Sequence, residues 1–175
     1  LRMHTTPVQV LIIDLENREW RDALRVQYIS AGQNLNESNK PQVAFMLETD
    51  ISLESDEAAM GLFDVIQGFG FGLVILDSFV DFLNGLDENS NPEMATVCKR
   101  LRGIIDRTGS TILCIHHVPK SSAGKQWQSS RGASALKDNA DCSIQVIRSG
   151  DGTGEIMTLR HDKARDFAYK VVKCK

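Results

Sequence analysis

Short apolar runs alternate along this chain with longer stretches in which apolar residues recur at helical spacing. The runs have the length and apolar content of strands buried on both faces, and they are residues 8–15, 43–47, 73–76 and 111–115. The stretches with helical spacing are residues 18–30, 55–66 and 94–105. Alternation of this kind predicts a parallel sheet with helices packed against it.

The last third of the chain has a different pattern. Residues 133–139 predict a short helix, and residues 142–147, 155–161 and 167–172 predict consecutive strands. We therefore expect an α/β fold in which a mostly parallel twisted sheet, flanked by helices, has antiparallel strands at its C-terminal end. With 175 residues, the chain has the length of a single domain with a sizeable core.

Composition excludes few classes of function. The net charge of −3 gives no overall electrostatic reason to bind nucleic acid, so any such binding must be local. The four cysteines lie far apart without zinc-ligand spacing, and no disulfide framework is indicated, so a reducing cytoplasm is the expected compartment. No apolar run approaches the length of a membrane span, and no membrane partner is expected.

The apolar run 73–76 ends in Asp77 and Ser78. Open α/β sheets bind their ligands at the carboxyl ends of the strands, where Asp77 is expected to lie. A carboxylate in that position can hold Mg²⁺, usually through water, beside nucleotide phosphates. The alternative is an aspartate that caps the following turn, and Asp77 alone does not decide between the two.

Other polar residues follow neighbouring strands. Glu16 comes after the first predicted strand, and His116 and His117 come after the fourth. In a parallel sheet these side chains would meet Asp77 at one edge and could form a hydrolase site with a base, a metal ligand and an imidazole. The alternatives are that Glu16 only favours the start of the next helix, and that one histidine is structural, because neighbours on a strand point to opposite faces.

Six short segments occur in an order known from one family. They are residues 11–16, 74–78, 87–89, 115–120, 131–136 together with 139–141, and 163–165. Together they resemble the RecA-like P-loop ATPases of the RepA type, the hexameric plasmid-replication helicases, with more distant similarity to DnaB-type helicases and KaiC. The resemblance spans residues 8–166. It implies a RecA-like fold, hydrolysis of ATP with Mg²⁺, single-stranded DNA as partner, and a homo-oligomeric ring or filament.

The resemblance also implies roles for the residues at the strand ends. Glu16 matches the glutamate that activates water, and Asp77 matches the Walker B aspartate that holds Mg²⁺, with Ser78 beside the nucleotide. His116 or His117 matches the polar sensor at the end of the next strand. By resemblance, these residues make up one side of an ATPase site.

Lys163 and Arg165 match the basic pair that reaches into the nucleotide site of a neighbouring subunit. They are two residues apart, so on an extended backbone both would project to the same face. The alternative is a surface salt-bridge cluster with the flanking Asp162 and Asp166, which would contribute little.

The chain departs from this family in one respect, because no segment of its sequence has the form GxxxxGK[ST]. Lys125 follows Gly124 but precedes Gln126, and the glycine-rich segments 68–72 and 150–154 contain no lysine. We expect the strand and helix around the phosphate loop to be missing, which would leave a gap in the centre of the sheet. The chain would then be a fragment of an ATPase, which the start at Leu1 favours, or a relative that has lost nucleotide binding.

The segment from 118 to 133 is the best local candidate for a nucleic-acid contact. Its Lys120, Lys125 and Arg131 could contact phosphates, its Trp127 could stack on a base, and it contains no acidic residue. The alternative is a solvated surface loop. The resemblance favours single-stranded DNA.

The sequence thus predicts part of a replicative or recombination ATPase. A second hypothesis is a non-catalytic binding or assembly module that keeps the subunit interface but lacks the nucleotide site. A third is a metal-dependent nuclease that uses Asp14, Glu16 and Asp77, which is weakened because no lysine accompanies those carboxylates.

Overall fold

The computed structural model describes residues 6–36, 42–117, 134–149, 156–166 and 170–174. Within these residues four parallel strands form one sheet in the order β2-β1-β3-β4. These strands are β1 (Val10–Asp14), β2 (Val43–Met46), β3 (Leu73–Asp77) and β4 (Thr111–Cys114). A second, antiparallel sheet contains β5 (Cys142–Ser149), β6 (Ile156–Ala164) and β7 (Val171–Cys174).

Within the described residues, four α-helices connect or follow the strands of the parallel sheet. They are α1 (Glu19–Gly32), α2 (Asp56–Phe69), α3 (Asn91–Thr108) and α4 (Ser134–Asn139), and a short 3-10 helix covers Phe79–Phe82. The predicted order of helices and strands is therefore confirmed. None of the helices in the described part of the chain is long and apolar enough to cross a membrane.

The described strands form two separate sheets. The four parallel strands are hydrogen-bonded neighbours without interruption, so the gap that we expected from a missing phosphate-loop strand does not lie among them. We also expected the antiparallel strands to extend the parallel sheet, whereas β5, β6 and β7 form a sheet of their own. Periodicity identifies each strand, but it does not determine which strands pair.

Local sequence explains where the two long central helices begin and end. The Ser55 hydroxyl accepts a hydrogen bond from the Ala58 amide at the start of α2, at 3.1 Å, and Ser90 does the same for Glu93 at the start of α3. Gly70 and Gly109 follow these helices with φ of 70° and 71°, a left-handed conformation that glycine adopts without strain.

The core lies between one face of the parallel sheet and the pair α2 and α3. Alternate strand residues point to this face and are buried, namely Leu11, Ile13, Val74 and Leu76. They pack in one cluster with buried side chains of α2 and α3 and with Phe79 and Phe82. The other face of the same strands is only partly covered, as the exposed Phe45 and Leu113 indicate.

The strand order also determines on which side of the sheet each helix lies. The chain moves from β1 outward to β2, and then back to β3 and on to β4. Right-handed crossovers therefore place α1 on one face and α2 and α3 on the other. Because β1, β3 and β4 are parallel neighbours, the residues that follow them lie at the same edge of the sheet.

Candidate functional site

The ends of β1 and β3 lie side by side at the carboxyl edge of the parallel sheet. Asp14 and Asp77 are paired in register, and the Leu15 amide donates to the Asp77 carbonyl at 2.8 Å. The Ile115 amide donates to the Leu76 carbonyl at 2.9 Å, which holds the end of β4 beside them. The backbone itself thus brings the candidate side chains together.

Asp14 shapes the turn that presents Glu16. Its buried carboxylate accepts hydrogen bonds from the amides of Glu16 and Asn17 at 3.0 and 2.8 Å, and from the Asn17 side chain at 2.9 Å. This bonding stops the strand and turns the Glu16 side chain toward β3 and β4. Asp14 therefore has a structural role at this turn, which weakens the nuclease hypothesis that uses it as a metal ligand.

Glu16, Asp77 and His117 form a cluster at this edge. One ligand atom from each lies within 4.8 Å of those of the other two. The His117 Nε2 atom lies 3.1 Å from the Glu16 Oε2 atom, and both side chains are at least half exposed, so substrate could reach them. A base candidate, a metal-ligand candidate and an imidazole thus come from three separate strand ends.

Negative charge is concentrated around Asp77. Burial, and then the nearby carboxylates of Asp14 and Glu16, raise the pKa of Asp77 above its ordinary value, while His117 and Arg25 lower it. Like charges held this close favour a cation among them. The edge is therefore electrostatically suited to a divalent metal ion.

The two histidines follow β4 and point in different directions. His117 is exposed beside Glu16, whereas the His116 ring lies 6.2 Å from the Phe79 ring and its Nε2 atom is 3.4 Å from a Glu88 oxygen. The His116–Glu88 contact is close enough for an ion pair but not aligned as a hydrogen bond. His117 is thus the histidine that joins the cluster.

Ser78 is buried next to Asp77, and its hydroxyl donates to the Asp81 carboxylate at 2.7 Å. We predicted Ser78 as a nucleotide contact, but its hydroxyl proton is used within the loop that follows β3. Its hydroxyl oxygen can still accept a hydrogen bond.

Sequence reasoning missed Arg25 as a cation near this edge. Its Nη1 atom lies 3.0 Å from the buried Asp22 and 3.8 Å from the buried Asp14. The arginine thus ties the middle of α1 to the end of β1 and partly neutralises the carboxylates there. Its position nine residues after Glu16 gave no signal, because an arginine on a helix is usually a solvated surface residue.

Lys163 and Arg165 contact other parts of this chain. The Lys163 ammonium donates to the carbonyls of Lys137 and Asp138 at the end of α4, and Arg165 pairs with Asp141 at 2.7 Å. The alternative cluster with the flanking Asp162 and Asp166 is therefore not the arrangement found for these two side chains. Asp141 also pairs with Arg102, which is the main cause of the lowered pKa of Asp141.

The predicted nucleic-acid residues Lys120, Lys125, Trp127 and Arg131 lie outside the described residues. Their role stays a prediction from sequence.

Helix α1 covers most of the stretch 18–30 that the sequence predicts as helical. Its Trp20, Leu24 and Tyr28 lie on one side of the helix and are exposed.

We expect Asp77→Asn to raise the melting temperature of the metal-free protein at pH 7. A carboxyl group with a raised pKa destabilises the fold where it is charged, and asparagine cannot become charged. The melting temperatures should converge as pH falls through the raised pKa, and be equal below the ordinary value of 3.8. Calorimetry measures this, at about 2–4 °C for each kcal/mol in a domain of this size.

Asp64→Asn is the control for that experiment, because Asp64 is an exposed aspartate on α2. It should leave the melting temperature nearly unchanged. A lower melting temperature for Asp77→Asn at pH 7 would mean that Asp77 has a favourable partner in the folded state.

Comparison with known proteins identifies the family and the fold of this chain. The family AAA_25, an AAA domain, matches residues 1–123. Among solved structures, a KaiC-like protein from the hyperthermophilic archaeon Pyrococcus horikoshii OT3 aligns with a TM-score of 0.59 and 13% sequence identity. The alignment covers 95% of this chain and 69% of that chain. This chain therefore belongs to the AAA_25 family of AAA domains and has the RecA-like α/β fold of the P-loop ATPases.

Proposed function

We propose that this chain is part of a RecA-like ATPase of the RepA type, which couples hydrolysis of Mg-ATP to movement along, or remodelling of, single-stranded DNA. The observation that supports this most directly is the cluster of Glu16, Asp77 and His117 at the carboxyl edge of the sheet. Family membership supports ATP and Mg²⁺ as ligands, because P-loop ATPases generally use both.

The donor set at the edge fits Mg²⁺. This ion prefers oxygen ligands, keeps several waters and is held by one or two carboxylates beside phosphates. Asp77 supplies a carboxylate whose neighbours make the bare charge unfavourable, so a bound cation would relieve the repulsion with Asp14 and Glu16. When bound, Mg²⁺ would neutralise charge on the phosphate oxygens.

Each residue of the cluster then has a distinct task. Glu16 is exposed and would accept a proton from the attacking water, as a general base. Asp77 would hold the waters around the metal ion through hydrogen bonds. His117 would be the polar sensor of the phosphate. Its Nε2 atom lies 3.1 Å from the Glu16 Oε2 atom, so the sensor is in direct contact with the base.

A neighbouring subunit would complete the site in the proposed oligomer. Lys163 and Arg165 would approach the phosphates of the adjacent copy, where a guanidinium stabilises the charge that develops in phosphoryl transfer. Their contacts with α4 and Asp141 are surface contacts that each contribute about 1 kcal/mol or less. Such contacts can be exchanged for phosphate at a small energetic cost.

We expect the 175-residue chain alone to bind Mg-ATP weakly or not at all. Backbone amides of a phosphate loop and its lysine supply much of the affinity for nucleotide, and this sequence contains no GxxxxGK[ST]. The carboxylates at the edge would repel phosphate. Calorimetric titration with Mg-ATP should detect no tight site, and micromolar binding would reveal a different phosphate cradle.

The full-length protein provides the test of the proposed function. It should hydrolyse ATP only with Mg²⁺ and faster with single-stranded DNA. Absence of hydrolysis under these conditions would favour the second candidate, a non-catalytic RecA-like assembly module. The missing phosphate-loop sequence in these 175 residues is the observation that favours that alternative.

The DNA contact is tested by a pair of substitutions in the segment 118–133. Lys125→Ala should weaken binding to every DNA sequence alike and reduce the salt dependence, because fewer counterions are released. Trp127→Ala should cost about 1–3 kcal/mol of binding and leave the salt dependence unchanged, because only stacking is lost. Fluorescence titrations at several salt concentrations distinguish the two, and unchanged binding in both variants would exclude this segment.

A further inference from the structure

One buried carboxylate of α1 lies outside the cluster at the sheet edge. Of the 14 residues of this helix only Asp22 is buried, with 4% of its surface exposed. Its Oδ1 atom accepts a hydrogen bond from the Arg25 Nη1 atom at 3.0 Å, whereas its Oδ2 atom has no hydrogen-bond partner within the described residues. A buried carboxylate is costly unless it is paired and hydrogen-bonded, so its presence here requires an explanation.

The guanidinium of Arg25 serves two buried carboxylates at once. The Nη1 atom that binds Asp22 is also 3.8 Å from the Asp14 Oδ2 atom, and the side chains of Asp14 and Asp22 are 3% and 6% exposed. Among the described residues, Arg25 is the cation paired with either aspartate. Without Arg25, two like charges would lie near each other in a buried place with no cation between them.

Asp14 connects this cation to the candidate base. The Asp14 Oδ1 atom accepts hydrogen bonds from the amides of Glu16 and Asn17, and its Oδ2 atom accepts one from the Asn17 side chain at 2.9 Å. The oxygen atom that binds the Asn17 side chain is the one that Arg25 approaches. The position of Glu16 thus depends on Asp14, whose charge Arg25 balances.

We propose that Arg25 is a positioning residue for Glu16 and acts through Asp14. The guanidinium offsets the repulsion between two buried carboxylates, and this keeps Asp14 where it holds the turn after β1. Asp22 in turn anchors the guanidinium through a hydrogen bond within α1. Helix α1 thus contributes to the site through a cation that fixes the turn.

The alternative is a salt bridge that only stabilises α1, since Arg25 and Asp22 are three residues apart on the helix. Two observations favour the positioning role. The second partner of Arg25 lies on β1, at the strand end that presents Glu16. Burial and two nearby carboxylates raise the pKa of Asp77, and Arg25 is one of the two cations that lower it, so its charge reaches the cluster.

This inference rests on the proposed function, because it gives Arg25 a task in a hydrolysis in which Glu16 is the base. Its structural part can be measured without hydrolysis. Hydrogen exchange at the turn after β1 reports whether Asp14 still holds the two amides that bind it.

In the full-length protein, Arg25→Ala should make the amides of Glu16 and Asn17 exchange about tenfold faster or more, because their charged acceptor is no longer held in place. Arg18→Ala is the matched control, because Arg18 is an exposed arginine next to α1 whose side chain makes no capping hydrogen bond. It should leave exchange at both amides unchanged. Unchanged exchange in Arg25→Ala would overturn the inference.

Turnover measures the catalytic consequence. Arg25→Ala should lower kcat about 100-fold and leave KM for ATP nearly unchanged, since misplacement of a catalytic group by about 1 Å costs about that much. The Arg25 side chain is 53% exposed, so guanidinium ion from solution can reach the vacated place. Guanidinium should restore part of the turnover, and urea, a planar molecule without the charge, should not. Equal effects of the two would overturn the role of the charge.

Asp22→Asn separates action through Asp14 from stabilisation of α1. Asparagine keeps an oxygen atom for Arg25 and removes one buried charge, so turnover should stay near the wild-type rate. If Arg25 served only to pair with Asp22, Asp22→Asn would lower turnover as much as Arg25→Ala does, and the inference would be wrong. Should Arg25→Ala fail to fold, Arg25→Lys, which keeps the charge but not the planar fork of donors, takes its place in these measurements.

The two kinds of measurement separate this inference from the proposed function. Normal turnover by Arg25→Ala would overturn the inference and leave the ATPase. A wild-type protein without ATP hydrolysis would overturn the proposed function, and with it the catalytic part of the inference. Faster exchange at Glu16 and Asn17 in Arg25→Ala would still support the structural part, in which Arg25 holds the turn.

Discussion

Glu16→Gln should abolish ATP turnover by the full-length protein and leave nucleotide binding nearly unchanged. Glutamine keeps the size of the side chain but cannot accept a proton, and general-base catalysis commonly contributes about 10²–10⁴-fold to a rate. Glu16 lies beside Asp77 and His117, and as a carboxylate it would not bind phosphate, so the affinity for nucleotide should change little. Steady-state hydrolysis and a nucleotide titration measure the two quantities.

Glu19→Gln is the matched control for that change. Glu19 is an exposed glutamate in the first turn of α1, three residues from Glu16. Its loss removes only a favourable interaction with the helix dipole, about 0.3–1 kcal/mol. If Glu16→Gln retains wild-type turnover, the base lies elsewhere, and the cluster at the sheet edge serves only to hold the metal ion.

Arg165→Ala should lower turnover about 10³–10⁵-fold if Arg165 reaches the nucleotide of a neighbouring subunit, which is the range for arginines that act across interfaces. Within one chain Arg165 is half exposed and pairs with Asp141, and such a surface pair contributes about 1 kcal/mol or less. The fold should therefore stay intact. Hydrolysis by a mixture of Arg165→Ala and Glu16→Gln should partly recover, because one interface in a mixed ring contains both residues.

Arg102→Ala separates this role from a local structural one. Arg102 also pairs with Asp141 at 3.0 Å, from the side of α3. If the salt-bridge cluster were what matters, both arginine substitutions would lower turnover alike. Equal losses, or mixtures without recovered activity, would show that Arg165 acts within its own chain.

The candidate site could be predicted from sequence to the extent that it depends on strand order. Polar residues that follow buried parallel strands must meet at one edge, so Glu16, Asp77 and a histidine were placed together correctly. The alternative that one of His116 and His117 is structural also agrees with the structure, in which only His117 joins the cluster. The meeting of these side chains at one edge follows from the direction of the neighbouring strands.

Side-chain partners that are distant in sequence could not be predicted in this way. Nothing in the spacing of residues indicates that Arg165 pairs with Asp141, or that the Lys163 ammonium binds the end of α4. The flanking Asp162 and Asp166 were the alternative that the sequence offered, because sequence reasoning weighs neighbours along the chain. Which residues pair with Lys163 and Arg165 depends instead on the elements next to the end of β6, which are α4 and α3.

Helix α1 shows the same limit on a larger scale. Its spacing of Trp20, Leu24 and Tyr28 is that of an apolar helix face, and the helix forms where the pattern predicts it. Whether such a face packs inward is a property of the whole fold. Here the buried side is the one with Asp22, which Arg25 neutralises, and the apolar side is left exposed.

The sequence by itself determined the elements of this protein, their order and the residues at the strand ends, because these depend on local periodicity and turn chemistry. Only the tertiary structure decided that the antiparallel strands form a separate sheet, that Arg25 lies among the carboxylates, and that α1 turns its apolar side outward. Pairing and burial depend on contacts between residues far apart in the chain, and a linear pattern does not specify those contacts.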